Sequence, residues 1–206
     1  MLSPIPAVMV SLGEGDEANI ITIAWTGIIN SRPPMTYISV RKERHSHDIL
    51  MKTGEFVINL TTEALVGKAD WCGVKSGRDF DKWKETGLTK EEASVVGCPM
   101  IAESPVNLEC RVTEMKELGS HDMFMAEIVK VHVDDSIIDE DGHFDVVRAG
   151  LTAYIHGHYY TVNRKPLGRF GFSVMKARTK KRLSREAHEK RVEKNRKKRG
   201  AVQTKK

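Results

Sequence analysis

Arg41, Arg44 and Ser46 are the residues of this chain whose types and spacing most plainly offer chemistry. Two guanidinium groups beside the expected start of a helix make an anion site, because arginine presents a fork of donors and a helix N-terminus presents free amides. A phosphate monoester fits such a site. Just upstream, Asn19, Thr22, Trp25, Thr26, Asn30 and Ser31 give a second stretch a polar and aromatic surface. The two stretches together outline a site for a flat, phosphorylated ligand. Strand-end arginines are commonly solvated and Ser-capped helices are widespread, so the residues alone leave the plainer surface reading open.

The elements that must position these groups are short strands. Ile20, Thr22, Ala24 and Ile21, Ile23, Trp25 alternate with a strand period over residues 19–25. Arg32-Pro33-Pro34 ends that run, since proline has no amide hydrogen for a ladder. A strand over 36–40 then delivers Arg41, Lys42 and Arg44, and Ser46 is the expected N-cap of a helix over 46–53 that Gly54 stops. Elsewhere the pattern predicts strands over 6–12 and 56–60, and helices over 63–71 and 78–86, the latter ended by Gly87. Residues 88–105 read mostly as loop, and 106–117 with 122–134 as a long hairpin joined through Leu118–His121. A last strand spans 154–162, and Gly168–Phe172 closes the domain. Many short strands with few helices predict a mainly β fold, a closed or nearly closed barrel.

With 206 residues, 40% hydrophobic and 30% charged, the chain is long enough for one sizeable globular domain. No apolar run has the length of a membrane helix and the N-terminus lacks a basic signal-peptide start, so a cytoplasmic location is expected. Cys72, Cys98 and Cys110, odd in number and irregular in spacing, fit buried reduced thiols. The net charge of +5 hides a division. Residues 174–206 hold 15 Lys and Arg against 3 Glu, which leaves 18 basic and 25 acidic residues before them.

Several further motifs lie in order along the chain: T-x-A-W-x-G-x-x-x-S-x-P-P from Thr22 to Pro34, S-V-R-x-x-R-x-S from Ser39 to Ser46, and G-E-F-V-I-N-L from Gly54 to Leu60. C-G-x-x-S-G-R-x-x-D-K-W follows at Cys72–Trp83, A-E-S-P-V-N-L-E-C at Ala102–Cys110 and L-G-S-H-D-M-F-M-A-E-I at Leu118–Ile128. G-x-Y-Y at Gly157–Tyr160 and L-G-R-F-G-F at Leu167–Phe172 complete the series. Over residues 5–172 the chain resembles the flavin reductase-like, FMN-binding split-barrel family, and within it the flavoredoxin-like branch.

The resemblance implies a split β-barrel over residues 1–173 that binds FMN, forms a homodimer and passes electrons through the flavin from NADH or NADPH. It implies that Arg41, Arg44 and Ser46 take the phosphate, while Asn19, Thr22, Ala24, Trp25, Thr26, Asn30, Ser31 and Tyr154 line the flavin. Lys82 of the D-K-W segment is implied as a further flavin contact, and His121 lies near the ring, where its titration near working pH suits a catalytic hydrogen bond. Ser120 stands where the family usually has an acid, which leaves an acid–histidine pair there in question. Read from residues alone, Trp25 fits a core position equally well, Lys82 a solvated helix face and Tyr154 an ordinary strand aromatic. Two alternatives to the nicotinamide-dependent enzyme stand beside it. One is an FMN carrier reduced by a protein partner; the other is a nucleic-acid-binding protein acting through residues 174–206.

That basic segment has no continuous apolar stripe, and Glu186–Lys190 and Glu193–Lys197 are favourable pairs for transient helix. A solvated, disordered appendage is its plainest reading, and phosphate neutralisation on nucleic acid or another polyanion is the alternative. Of the pairs His45/His47 and His156/His158, the second lies on an expected strand, where positions two apart share a face, but neither pair has a third ligand at a recognisable spacing, so no metal site is expected.

Overall fold

The computed structural model describes residues 2–140, 142–145, 147–162 and 165–186, together with Glu189 and Val192. The chain divides into two compact units, Met1–Arg164 and Lys165–Lys206, so Gly168–Phe172 belongs to the second unit. The expected pairs Glu186–Lys190 and Glu193–Lys197 each include a residue outside those described.

In chain order the strands are β1 (Val8–Leu12), β2 (Asn19–Ile23), β3 (Thr26–Ser31), β4 (Pro34–Arg41), β5 (Glu55–Asn59), β6 (Lys90–Glu91), β7 (Met100–Ile101), β8 (Val106–Glu117), β9 (His121–Val133), β10 (Thr152–Ile155) and β11 (His158–Thr161). Three helices are interleaved: α1 (His45–Thr53), α2 (Val66–Val74) and α3 (Lys82–Thr86). Seven strands form one antiparallel sheet in the order β2-β1-β5-β8-β9-β4-β3.

The topology explains the curl of that sheet. Its two edge strands, β2 and β3, are consecutive in the chain and separated only by Ala24 and Trp25. A flat seven-stranded sheet would hold its edges roughly six strand spacings of about 4.8 Å apart, a span two residues cannot bridge. The sheet therefore rolls until its edges meet at this corner, where the Ser39 amide donates to the Trp25 carbonyl at 3.0 Å. Register shifts between Ile28 and Asn30 and between Val112 and Glu114 mark bulges that ease the bend. The mainly β, split-barrel architecture expected from the sequence is the one observed.

Strand periodicity sorts the core. Val8, Val10 and Leu12 of β1 point into the barrel with Ile21, Ile38, Phe56 and Phe124. Met9, on the other face, packs with Ile20, Ala69, Cys72, Trp83 and Ile101 beneath α2 and α3. Helix α1 buries Ile49 and Leu50 in the barrel, and Gly54 ends it with φ +65°, its amide donating to the Leu50 carbonyl.

Five expectations change. Arg44, not Ser46, holds the N-cap position of α1, without a side-chain cap bond, and Ser46 lies inside the first turn. The strand predicted through Trp25 stops at Ile23, because the chain turns the corner there. The predicted helix over 63–71 is a 3-10 turn at Glu63–Leu65 followed by α2. The helix predicted from Arg78 starts at Lys82, where the Asp81 carboxylate accepts from the Trp83 and Lys84 amides. The last strand is a hairpin, since His156 (φ 47°) and Gly157 (φ 87°) turn the chain between β10 and β11, so the face-sharing argument for His156 and His158 lapses. Among the described residues no cluster of three or more His, Cys, Asp or Glu could hold a metal, and no helix is long and apolar enough to cross a membrane.

A buried carboxylate fastens the long loop before β7. Glu109 of β8 accepts from the amides of Ser94, Val95 and Val96 at 2.9, 2.7 and 2.9 Å and bonds His132. Burial pushes its pKa up, but His132 and the three amides outweigh that and hold it below the ordinary carboxylate value. Because the folded-state value lies under the unfolded one, this stabilisation is present above the unfolded pKa and is lost as pH falls toward the folded one. Chemical denaturation followed from pH 7 to pH 3 should show a steep acid decline in the wild type and a flatter, lower curve for Glu109→Gln. Parallel curves would contradict this role.

Candidate functional site

Three adjoining cavities make a trough along β2. The first, about 340 Å³, is lined by Asn19, Ile21, Arg41, Glu43, Arg44, His45, Ser46, Lys75, Ser76, Gly77 and Lys82. It shares Ile21, Arg41 and Arg44 with a second cavity of about 140 Å³, which continues to Thr22, Ala24, Trp25 and His121. That cavity in turn shares Ala24 and Trp25 with a wider, apolar one of about 640 Å³ lined by Leu2, Ile5, Thr26, Tyr37, Tyr154 and His156. The trough thus runs from a cationic end through the strand corner to an aromatic end.

The cationic end is assembled by strand β4, helix α1 and the loop after α2. The Arg41 guanidinium lies 3.3 Å from the Glu43 carboxylate, and that of Arg44 donates to the Gly73 carbonyl at 3.3 Å. No side chain caps α1, and the His47 amide is taken by the Arg44 carbonyl at 2.9 Å, so the amides of His45 and Ser46 are the ones open to a ligand. Ser46 is buried and its hydroxyl accepts from the Asn19 amide at 3.0 Å, tying α1 to β2. A Cβ on Gly77 would come within 2.5 Å of the Asn19 side chain, so only glycine lets the loop pass this close. The residues Lys75, Ser76 and Gly77 were not expected at the site. The S-G step in the C-G-x-x-S-G-R motif was the available signal, since such a step marks a tight loop.

Lys82 is the least ordinary residue here. It is only 4% exposed, and its ammonium donates to the Ile20 carbonyl at 2.8 Å and the Cys72 carbonyl at 2.7 Å. Burial pushes its pKa down to about 8 against a smaller opposing pull from Cys72, and Arg44 adds a lesser push in the same direction as burial. A solvated helix face is thereby ruled out. An anion arriving in the trough would favour the charged form of this group.

At the corner, Trp25 is 53% exposed rather than buried in the core, and its ring meets that of His121 at 4.3 Å between centroids. The Ser120 hydroxyl stands 2.9 Å from His121 Nδ1. The neighbouring acid, Asp122, bonds His47 at 2.7 Å instead. Thr22 is bound to the Ala69 carbonyl, and Thr26 donates to the Tyr37 carbonyl at 2.6 Å. Tyr154 packs edge-on to Tyr159 and its strand bridges Ile5. Asn30 and Ser31 do not line the trough. They lie at the far end of β3, where Asn30 donates to the Pro33 carbonyl at 2.9 Å, roughly 15 Å along the strand from the corner. All three cysteines are free and buried, and burial pushes Cys72 up to about 11 and Cys98 up to about 12, which makes them inert thiols at neutral pH.

The fold agrees with an established class. The sequence matches the model of the flavin reductase like domain over residues 2–163, and the chain belongs to that family. Its structure is similar to the flavoredoxin of Desulfovibrio vulgaris (Miyazaki F), with TM-score 0.78 and 30% identity, covering 84% of this chain and 94% of that one. It is also similar to the flavoredoxin from Methanosarcina acetivorans, with TM-score 0.76 and 26% identity, covering 85% and 95% respectively. An uncharacterised protein of Pyrococcus abyssi (strain GE5 / Orsay) is 30% identical over 129 residues, 63% of this chain and 74% of that protein.

The His121 ring carries a direct prediction. Burial lowers its pKa below the ordinary 6.5, and the Arg41 charge lowers it further, against a lesser opposing pull from Glu43. A proton-resolved NMR titration should give His121 a midpoint below 6.5, moving upward in Arg41→Gln. A midpoint above 6.5 would contradict the environment described.

Proposed function

We propose that this protein binds FMN and transfers electrons through it, acting as an NAD(P)H-dependent flavin oxidoreductase. The observation that carries the reading is the continuity of the trough from the arginine cradle to the Trp25–His121 corner. The donor set fits a phosphomononucleotide: two arginines, a buried serine and open helix amides for a phosphate, then a strand edge and an aromatic face for a flat ring. Bound in this trough, the flavin would supply reversible acceptance of hydride or electrons at its ring.

The chain's own residues divide the remaining work. Arg41, Arg44 and Ser46 hold the phosphate and so orient the molecule. Asn19 and Lys82 offer donors to the polar edge, and the Lys82 ammonium stabilises negative charge developing on a bound ligand. Thr22, Ala24 and Thr26 contribute the strand edge, Trp25 an apolar face, and Tyr154 the rim of the wide end. His121, its pKa held below the ordinary 6.5 by burial and the Arg41 charge, presents a hydrogen-bonding ring beside Trp25.

A second reading is favoured by the surface of β3. Ile28 and Ile29 are exposed beside exposed Trp25. An apolar edge of this kind suits a protein partner or a second copy of the chain. In that case the protein is a flavin carrier reduced by another protein, and the homodimer would cover part of the same edge.

Titration of FMN and riboflavin separates the phosphate's share of binding. Arg41→Ala should weaken FMN by about 2 kcal/mol, roughly thirtyfold, and leave riboflavin nearly unchanged. Equal losses for both ligands would refute the cradle. Stopped-flow mixing of the yellow protein with NADH and NADPH then decides between enzyme and carrier. Bleaching on a turnover timescale supports the enzyme, and its absence for both donors supports the carrier.

A further inference from the structure

The second unit of the chain has a charge opposite to that of the rest. Residues 165–206 contain 17 Lys and Arg and 3 Glu, whereas residues 1–164 hold 16 basic and 25 acidic residues. Within residues 165–186 eight basic side chains, among them Arg169 and Lys176, are exposed, with Glu186 as the one acid. Residues 177–186 are helical. On that helix Arg178, Lys181, Arg182 and Arg185 follow the i, i+3, i+4, i+7 spacing and therefore share one face, a cationic stripe about 10 Å long. Arg182 and Arg185 have Glu186 and Glu189 at 3.7 and 2.9 Å, but such exposed pairs are weak and open to exchange for phosphate.

Ahead of the helix stand two aromatic rings in water. Phe170 is fully exposed and Phe172 is 60% exposed. Phe172 folds over Gly168, where a Cβ would come within 2.7 Å of its ring. Aromatic rings beside a row of cations are what single-stranded nucleic acid engages, the rings stacking on bases and the cations following the backbone. A lipid surface needs an apolar helix face as well. Opposite the stripe this helix has Thr179, Lys180 and Ser184, with Leu183 as its one large apolar residue.

We propose that residues 165–186 form a binding site for single-stranded nucleic acid, with Phe170 and Phe172 stacking on bases and the Arg178–Arg185 stripe neutralising backbone phosphates. The site is independent of the trough and of its ligand. The acidic remainder of the chain leaves this segment as the attractive part of the molecule for a polyanion.

Fluorescence anisotropy of the full chain with a labelled single-stranded 20-nucleotide RNA of mixed sequence, from 50 to 300 mM KCl, tests the proposal. The wild type should bind with log affinity falling linearly against log salt. The variant R178Q/K181Q/R182Q/R185Q should bind more weakly with a slope shallower by about three. F170A/F172A should weaken binding roughly tenfold and leave the slope unchanged. Thermal unfolding of each variant should match the wild type, because the substituted side chains are exposed. The proposal is overturned by an absence of salt-dependent RNA binding, by a wild-type slope in the fourfold variant, or by wild-type affinity in F170A/F172A. Sedimentation with phosphatidylserine vesicles in the absence of RNA binding would overturn it in favour of a membrane surface.

Discussion

The ammonium of Lys82 is taken out of water and given two backbone carbonyls, those of Ile20 and Cys72, in place of a carboxylate. Removing a cation from water without an opposite charge is expensive, and here the expense is reflected in a pKa brought down to about 8. The same two bonds draw β2, α2 and α3 together over the core formed by Met9, Ile20, Cys72 and Trp83. Asn19, one residue before Ile20, reaches Ser46 of α1, and Gly77 makes room for it. The position of the cationic end therefore depends on one buried charge whose own stability improves when an anion lies beside it.

The rolled sheet supplies the other end. Two residues between the edge strands leave no alternative to a corner, and Trp25 sits on that corner, too solvent-exposed for a core role. Its contact with His121 joins the corner before β3 to the start of β9, across the intervening β4. The cradle and the corner are thus two consequences of one topology, linked through Ile21, Arg41 and Arg44.

Much of this was legible in the chain because it is local. The alternation of β1, the 106–117 and 121–133 hairpin, and Gly54 as the stop of α1 all follow from spacing and backbone preference. Arg41 and Arg44 meet the start of α1 because only Lys42, Glu43 and Arg44 separate the end of β4 from it. What was not legible depends on distant partners. Ser46 has the look of a cap, but its hydroxyl answers to Asn19 across 27 residues, which moves the cap to Arg44. Lys82 has the look of a surface lysine until β2 and α2 close over it. Asn30 and Ser31 belong to the same motif as Trp25, yet a strand carries them away from it faster than a motif suggests. The hairpin at His156–Gly157 was signalled by its glycine and obscured by the aromatic run around it.

The central claim is that the arginine–serine cradle and the Trp25–His121 corner receive the two ends of one flavin mononucleotide. A crystal structure of the protein soaked with FMN tests this most directly. The account predicts phosphate density within hydrogen-bond reach of Arg41, Arg44 and the first amides of α1, continuous with a ring beside Trp25. Density for the ring elsewhere on the surface, or a cradle closed by its own side chains with FMN in excess, would contradict it.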